Sequence, residues 1–192
     1  MSQSLSKLPE ILESQRLLIR KYSEGDGKAL FALLERNNNR EFLFPNVEEV
    51  ATIKTVEDAE TKTQRHKVEW ETRKRFVLGI WEKTAIKYIG EIWIEPNKWE
   101  VPSFELGWFL DQGYLGKGLA TEAARRSLEF LFHDLNAHKV IVITRDTNLQ
   151  SMRLAERLGF EKEGHFREAR IEHGTRYGLV YYGMLKTEFT SS

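Results

Sequence analysis

The sequence predicts a mixed α/β (α+β) fold, in which a single, mostly antiparallel sheet is flanked by helices on both faces. Segments with the period-two alternation of strands, such as 103–110, are interspersed with segments whose apolar residues recur at helical spacing, such as 119–131. Short connections join the strand-like segments 76–81, 86–94 and 103–110, and such connections favour antiparallel pairing. The centre of the sheet is therefore predicted to be an antiparallel meander.

The length of 192 residues suits one domain with a full core, and no repeat, low-complexity tract or internal boundary divides it. We expect residues 1–10 to form a flexible leader and residues 11–190 to form the single domain. Lysine plus arginine balances aspartate plus glutamate at 29 each, so the net charge does not favour nucleic acid or anionic lipid as a partner.

Cysteine is absent, which excludes disulfides, thiolate metal sites and a cysteine nucleophile, and suits a reducing compartment. The N-terminal residues lack the apolar region of a signal peptide, and no apolar run approaches the roughly 20 residues that span a bilayer. The histidines at 133, 138, 165 and 173 show no metal-ligand spacing. We therefore expect a cytoplasmic protein with no metal ion and no membrane partner.

The first half of the chain begins with a predicted strand at 16–22 and a helix that Asp26 caps. The apolar segment 42–45 is interpreted as a loop that either covers a substrate pocket or anchors in the core. Residues 53–75 predict a surface helix with a basic end. We interpret this basic end as a solvent-exposed face, which is favoured over a nucleic-acid-binding patch. That basic end comprises Arg65, His66, Lys67, Arg73, Lys74 and Arg75.

The second half continues with the central strands, the loop 96–102 and the long helix already described. The apolar run 139–144 is typical of a strand buried on both faces. A second helix is predicted over 148–158, and Gly159 stands at the position where glycine commonly ends a helix. Segments 160–172 and 175–186 predict a final pair of strands that turn at 173–174.

The glycine-rich turn between the strand 103–110 and the long helix is a candidate anion site. Gly113, Gly116 and Gly118 lie within six residues, and the helix follows at once. Unpaired backbone N–H groups and the helix dipole favour a negative charge at such a helix N-terminus. The spacing is neither that of a dinucleotide-binding loop nor that of a Walker P-loop, because no Gly-Lys-Ser/Thr follows.

The turn sequence LGKGLA, followed by TEA, resembles the acyl-CoA pyrophosphate loop of the GNAT superfamily of N-acetyltransferases. Gly118 and Ala120 match the family pattern Gln/Arg-x-x-Gly-x-Gly/Ala, whereas Leu115 stands where Gln or Arg is usual. The resemblance implies that acetyl-CoA is the co-substrate and that one stretch of residues binds it. Those residues are Leu115, Gly116, Lys117, Gly118, Leu119 and Ala120.

A second and more specific match covers 148–164, NLQSMRLAERLGFEKEG. It resembles the signature N-x-x-S-x-x-x-x-x-x-L-G-F-x-x-E-G of the ribosomal-protein N-terminal (RimJ/RimL-like) branch of that superfamily. Tyr182 matches the tyrosine that this branch carries on its last strand, whereas Gly178 replaces the usual aspartate. The resemblance extends over nearly the whole chain from residue 16, and it implies the acyl-CoA N-acyltransferase fold of that superfamily.

In that fold the strand before the turn splays away from the next strand, and the pantetheine arm lies in the gap. The resemblance therefore implies backbone contacts to acetyl-CoA at Trp108, Phe109 and Leu110. Asn148 suits a helix N-cap, and the family implies an additional contact to the pantetheine or its thiol. The family also makes Ser151 the candidate proton donor to the leaving thiolate, with Tyr182 as the alternative.

Glu105 is the candidate catalytic base, since it lies on the strand that leads into the glycine turn. A surface ion-pair role for Glu105 remains open, and Glu91 on the neighbouring strand is the alternative base. A weak base can deprotonate a protein α-amino group, which has a pKa of about 7.7–8.0, more readily than a lysine side chain, which has a pKa of about 10.4. Without cysteine, direct attack of the amine on the thioester is the simplest mechanism.

The predicted function is therefore acetyl transfer from acetyl-CoA to a primary amine, with a protein N-terminus, such as that of a ribosomal protein, as the first choice. The alternatives are a small amine (polyamine, amino acid or antibiotic) and a non-catalytic acyl-CoA-binding module. The sequence allows either a monomer or a homodimer.

Overall fold

One eight-stranded sheet organises the residues that this computed structural model describes, 8–172 and 174–190. The strands are β1 Ile11–Glu13, β2 Leu17–Lys21, β3 Phe76–Glu82, β4 Lys87–Lys98, β5 Ser103–Leu110, β6 Lys139–Arg145, β7 Glu161–Glu172 and β8 Thr175–Leu185. Their order across the sheet is β1-β2-β3-β4-β5-β6-β8-β7, and all neighbours are antiparallel except β5 and β6. This arrangement confirms the predicted mixed, mostly antiparallel sheet.

The helices of the described residues lie on both faces of this sheet. They are α1 Gly27–Leu34, α2 Asn39–Leu43, α3 Val56–Glu71, α4 Leu119–Glu129 and α5 Leu149–Leu158. Single turns of 3-10 helix occur at Glu48–Thr52 and Gln112–Tyr114, and a π-helical turn, Phe130–Asp134, continues α4. Within the described residues, none of the helices is long and apolar enough to cross a membrane.

Two hydrophobic cores form because successive strand residues point to opposite faces of the sheet. On β3, Phe76, Leu78 and Ile80 belong to the core beneath α4 and α5. Val77, between them, belongs to the second core beneath α1 and α3. The strands are thus fixed in register by apolar residues on both faces, since a shift of one residue would exchange the two sets.

Several predicted boundaries were wrong. The strand β1 was not predicted; it pairs with β2, which lies within the predicted strand 16–22. Segment 42–45 is not a simple loop, since its first residues end α2. β4 extends to Lys98 and shortens the loop predicted at 96–102, because the long hairpin pairs as far as Lys98 and Ser103. Most of the predicted leader, 1–10, and the turn residue 173 lie outside the described residues.

Three burial and capping predictions also need correction. β6 is buried on one face only, with Val140 and Val142 in the core beneath α4 and α5, because its other face is only partly covered. His66, placed by sequence on a solvated basic face, is 1% exposed on the inner side of α3. Asp26 occupies the N-cap position of α1, but its carboxylate binds Arg20 at 2.7 and 2.9 Å instead of a helix N–H.

Candidate active site

A cleft opens where β5 and β6 separate. The two strands pair in parallel only from Ser103 to Glu105 and from Lys139 to Ile141. Beyond these residues β5 stays paired with β4 as far as Leu110, while β6 stays paired with β8 as far as Arg145, so each strand follows its own neighbour. The resulting cavity has a volume of about 1010 Å³.

The β5 wall of the cavity contains the three residues that the sequence assigned to the pantetheine arm. Trp108, Phe109 and Leu110 all line the cavity, together with Gly107. The indole of Trp93 lies over Gly107, where a Cβ atom would come within 2.1 Å of the ring, so the close approach requires glycine. Because β5 has lost its β6 partner here, its backbone groups that face the gap are free to bind a ligand.

The glycine turn closes one end of the cavity. Five of the residues that the family resemblance assigned to coenzyme A line it: Leu115, Gly116, Gly118, Leu119 and Ala120. Gly116 and Gly118 have φ angles of 74° and 76°, a left-handed conformation that glycine adopts without strain. The N–H groups of residues 116–120 donate to no acceptor among the described residues. They therefore provide, with the positive end of the α4 dipole, a site for an anion.

Lys117 differs from its neighbours in the turn, because it is not part of the cavity wall. Its Nζ donates to the carbonyl oxygen of Gly113 at 3.0 Å and lies 4.8 Å from the centre of the Tyr114 ring. Its own carbonyl oxygen accepts a hydrogen bond of 2.9 Å from Arg16 on the loop before β2. Lys117 thus anchors the turn, and its backbone N–H has no acceptor among the described residues.

Three arginines of the cavity wall were missed by sequence analysis. Arg145 ends β6, whereas Arg153 and Arg157 stand four residues apart on α5, a spacing that puts both on one helix face. Arg157 donates to the Thr121 hydroxyl at 3.1 Å and so reaches the first turn of α4. The i,i+4 spacing was a usable signal, but the approach of α5 to the glycine turn is a tertiary contact that the sequence does not show.

Asn148 and Ser151 meet at the start of α5, and both line the cavity. The Asn148 side-chain oxygen accepts a hydrogen bond of 3.2 Å from the Ser151 N–H, which confirms Asn148 as the N-cap. Tyr182, the alternative proton donor, lies outside the cavity wall and donates to Glu156 at 3.0 Å. Burial, together with that carboxylate, raises the pKa of Tyr182 to about 12. Ser151 is therefore the better placed of the two.

Glu105 is half-buried on β5, just outside the cavity wall. Burial and the carboxylate of Glu95, its cross-strand neighbour, raise the pKa of Glu105 to about 7, against the opposing effect of Arg75. The Trp93 indole over Gly107 stands between the Glu105 side chain and the Phe109 end of the cavity. The Glu105 carboxylate is therefore separated from that end of the cavity and makes no direct contact with it.

Glu91, the alternative base, is 3% exposed and belongs to a buried ion-pair cluster. Its carboxylate accepts a hydrogen bond of 2.7 Å from Tyr22 and lies 3.5 Å from the Lys62 ammonium. Burial raises the pKa of Glu91, but Lys62, His66 and Tyr22 outweigh it and hold that pKa below the usual value. Glu91 also lies outside the cavity wall, so its geometry suits a structural ion pair.

The family of the chain follows from a comparison with known proteins. Residues 16–161 match the family described as an acetyltransferase (GNAT) domain. The chain belongs to the GNAT acetyltransferase family. It is accordingly an acetyl-CoA-dependent N-acetyltransferase, and its cavity fits that co-substrate. The wall holds free N–H groups at a helix N-terminus and three arginines, and none of its described residues is an aspartate or glutamate.

Relatives that match nearly the whole chain include two bacterial acetyltransferases. The uncharacterized N-acetyltransferase YnaD of Bacillus subtilis (strain 168) is 25% identical over 93% of this chain and 98% of its own length. The spermidine N(1)-acetyltransferase of Vibrio cholerae serotype O1 is 27% identical over 92% of this chain and 96% of its own length. This GNAT protein therefore spans nearly the whole length of these relatives.

A solved structure shows the same fold. RimL, a ribosomal alpha-N-protein acetyltransferase in complex with coenzyme A, has a TM-score of 0.84 and is 18% identical. The match covers 92% of this chain and 98% of the RimL chain. It confirms the predicted GNAT fold. Across the described residues, no group of three histidine, aspartate or glutamate side chains is arranged to hold a metal ion.

Proposed function

We propose that this protein transfers the acetyl group of acetyl-CoA to the N-terminal α-amino group of a protein, such as a ribosomal protein. The observation that carries the proposal is the environment of Glu105, whose pKa is raised to about 7 by burial and by Glu95. A base of that strength suits an α-amino group, with a pKa of about 7.7–8.0, far better than an alkyl amine near 10.4. The RimL-like fold is consistent with a polypeptide acceptor.

In the proposed reaction the amine nitrogen attacks the thioester carbonyl carbon directly. A new C–N bond forms, the C–S bond breaks, and coenzyme A leaves as a thiolate. Glu105 takes the proton that the amine loses, through a water molecule that bridges past the Trp93 indole. The Ser151 hydroxyl gives a proton to the thiolate and regains one from solvent. No residue carries the acetyl group in between, which agrees with the absence of cysteine.

The remaining residues of the cavity hold the co-substrate in place. The backbone N–H groups of residues 116–120 bind the pyrophosphate, and Arg157 adds positive charge at the same end. The backbone of Trp108, Phe109 and Leu110 binds the pantetheine arm along the gap. Asn148, whose side-chain oxygen is taken by the Ser151 N–H, contributes its side-chain amide N–H group to the same arm from the cavity wall.

Acetylation of a small amine is the second candidate. The full-length match to a spermidine acetyltransferase favours it. The two candidates differ in the pKa of the reacting amine and in the charge of the acceptor, since a polyamine carries several ammonium groups at neutral pH.

A thiol-release assay separates these candidates. The purified protein is mixed with acetyl-CoA and one acceptor at a time: a peptide with a free α-amino group, the same peptide blocked at its N-terminus but containing lysine, or spermidine. We expect release of coenzyme A with the free peptide and none with the blocked peptide, and mass spectrometry to place the acetyl group on the α-nitrogen. Faster turnover of the blocked peptide or of spermidine would refute the proposal.

A further inference from the structure

The charge of the cavity wall distinguishes classes of acceptor. Its charged members among the described residues are Arg145, Arg153 and Arg157, without any aspartate or glutamate. Arg157 reaches the first turn of α4, next to the glycine turn, so its charge lies at the coenzyme A end. Arg145 lies at the end of β6, stacks 4.0 Å from the centre of the Tyr177 ring and forms an ion pair of 2.6 Å with Glu172. The Glu172 carboxylate beside this wall is engaged by Arg145, so the ammonium groups of a polyamine would find no carboxylate among the wall residues themselves.

The cavity continues onto a sheet face that carries apolar side chains. The helices α1 and α3 pack on β4 and β3, on one side of the gap. On the other side of the gap the same face of β6, β8 and β7 bears residues that are partly or largely exposed. We call Ile143, Leu179, Tyr181 and Phe166 the apolar strip.

The apolar strip is continuous with the cavity. Ile143 and Leu179 line the cavity itself. Tyr181 pairs with Ile143 across the sheet, and Phe166 pairs with Leu179. The Phe166 and Tyr181 rings meet at 4.9 Å between centroids, and Phe166 remains 58% exposed. A molecule that leaves the cavity on this side therefore passes over an apolar surface that ends at an exposed aromatic ring.

The apolar strip extends from the gap over about the length of a short extended peptide. Phe166 lies on β7, the third strand from the gap after β6 and β8. With neighbouring strands about 4.8 Å apart, the distance from the gap to Phe166 is roughly 12–15 Å. An extended chain advances by about 3.3 Å per residue, so an amine in the gap puts about the fourth residue of its peptide over Phe166.

We propose that the apolar strip binds the acceptor polypeptide just after its N-terminus, and that it selects protein N-termini with an apolar side chain at about position 4. The proposal rests on the proposed function, since it assumes an α-amino group as the acceptor. The acceptor is the occupant because the strip begins inside the reaction cavity. A second copy of this chain seated on the strip would block the entry of the acceptor.

The test compares Phe166→Ser with Ile171→Ser as a matched control. Ile171 is on the same strand and 67% exposed, but it pairs with Arg176 and so points to the opposite face of the sheet. Two hexapeptides that differ only in Leu or Ser at position 4, a dipeptide that ends before the strip, and spermidine serve as acceptors. Melting temperatures and acetyl-CoA affinities of both variants establish that they are folded.

We expect Phe166→Ser to raise KM for the Leu peptide about tenfold without a change in kcat, because part of the phenylalanine surface is buried by the peptide. KM for the Ser peptide and the dipeptide should not change, and Ile171→Ser should behave as wild type. Dipeptide turnover with no discrimination between the hexapeptides, or an equal loss in Ile171→Ser, would overturn this proposal alone.

Two further outcomes count against the strip. Preferred turnover of spermidine would overturn both this inference and the proposed function, as would the absence of turnover on every α-amino acceptor. A wild-type dimer that becomes a monomer in Phe166→Ser, measured by light scattering, would show that a second copy covers the strip and would likewise overturn the proposal.

Discussion

Replacement of Glu95 by glutamine is expected to lower the pKa of Glu105 and with it the pH at which the reaction reaches half its maximal rate. Glu95 and Glu105 are directly opposite each other on β4 and β5, and burial together with this neighbour raises the pKa of Glu105 to about 7. A base acts only when ionised, so activity is lost as the pH falls through that pKa. Glutamine keeps the size of the side chain but removes the repelling charge.

The size of the effect follows from Coulomb's law. Directly opposed strand residues have Cβ atoms about 5 Å apart, which puts the carboxylates at roughly 7 Å. At an effective dielectric constant near 20, two unit charges at about 7 Å interact by about 2.4 kcal/mol. Arg75, whose Nε lies 2.8 Å from Glu95, offsets part of this repulsion. The acidic limb is the part of the pH–rate profile in which kcat rises as the base loses its proton. We therefore expect the midpoint of this limb to fall by about one pH unit, which corresponds to about 1.4 kcal/mol.

The assay is the pH dependence of kcat, measured with an acceptor whose amine has a lower pKa than Glu105. Under that condition the amine is already neutral and only the enzyme titrates. Arg75→Gln is the matched control of opposite sign, because Arg75 lowers the pKa of Glu105 and its loss should move the limb to higher pH. Glu105→Gln should remove the limb and reduce kcat by about 100-fold or more.

A shift of the limb to lower pH in Glu95→Gln and to higher pH in Arg75→Gln would identify Glu105 as the group that titrates. If Glu95→Gln and Arg75→Gln leave the limb where it is in the wild type, the base is another group. The same conclusion would follow if Glu105→Gln kept the wild-type rate.

Two further predictions concern the proton donor and the glycine turn. Ser151→Ala should lower kcat by about 100-fold with unchanged acetyl-CoA affinity, and full activity of this variant would contradict the assignment of Ser151 as proton donor. Tyr182→Phe should leave kcat unchanged. It should lower the free energy of unfolding by about 1 kcal/mol, because the hydrogen bond to Glu156 is lost. Gly118→Val, at a φ of 76°, should lower acetyl-CoA affinity by at least about tenfold in calorimetry. Gly25→Val, at a φ of 89° and outside the cavity wall, should strain the backbone similarly but keep that affinity. An equal loss of affinity in both variants would refute the role of the turn.

Features encoded within a few neighbouring residues were predictable. The strand β5, the turn with Gly116 and Gly118, and the start of α4 follow one another in 22 residues, and their alternation, glycines and helical spacing are local signals. The Asn148 cap is equally local, since the side chain bonds the N–H of Ser151 three residues on. The structure has β5, the turn, α4 and the start of α5 at the predicted positions.

Features that depend on distant segments were missed or misplaced. β1 is only three residues long and exists because β2 offers an edge for pairing, so its own sequence carries almost no signal. His66 was assigned to a solvated face because its neighbours are basic, yet α3 turns it toward the sheet. Arg145 and Tyr177 stand 32 positions apart in the sequence and meet only because β6 pairs with β8.

The sequence by itself determined the family, the order of most strands and helices, and the position of the glycine turn, because these are carried by motifs and periodicities along the chain. The tertiary structure alone decided the chemistry of the site. The pKa of Glu105 depends first on its burial in the folded protein and then on Glu95 across the sheet. The cleft itself exists because β5 and β6 each follow a different partner strand, and no single stretch of sequence contains that competition.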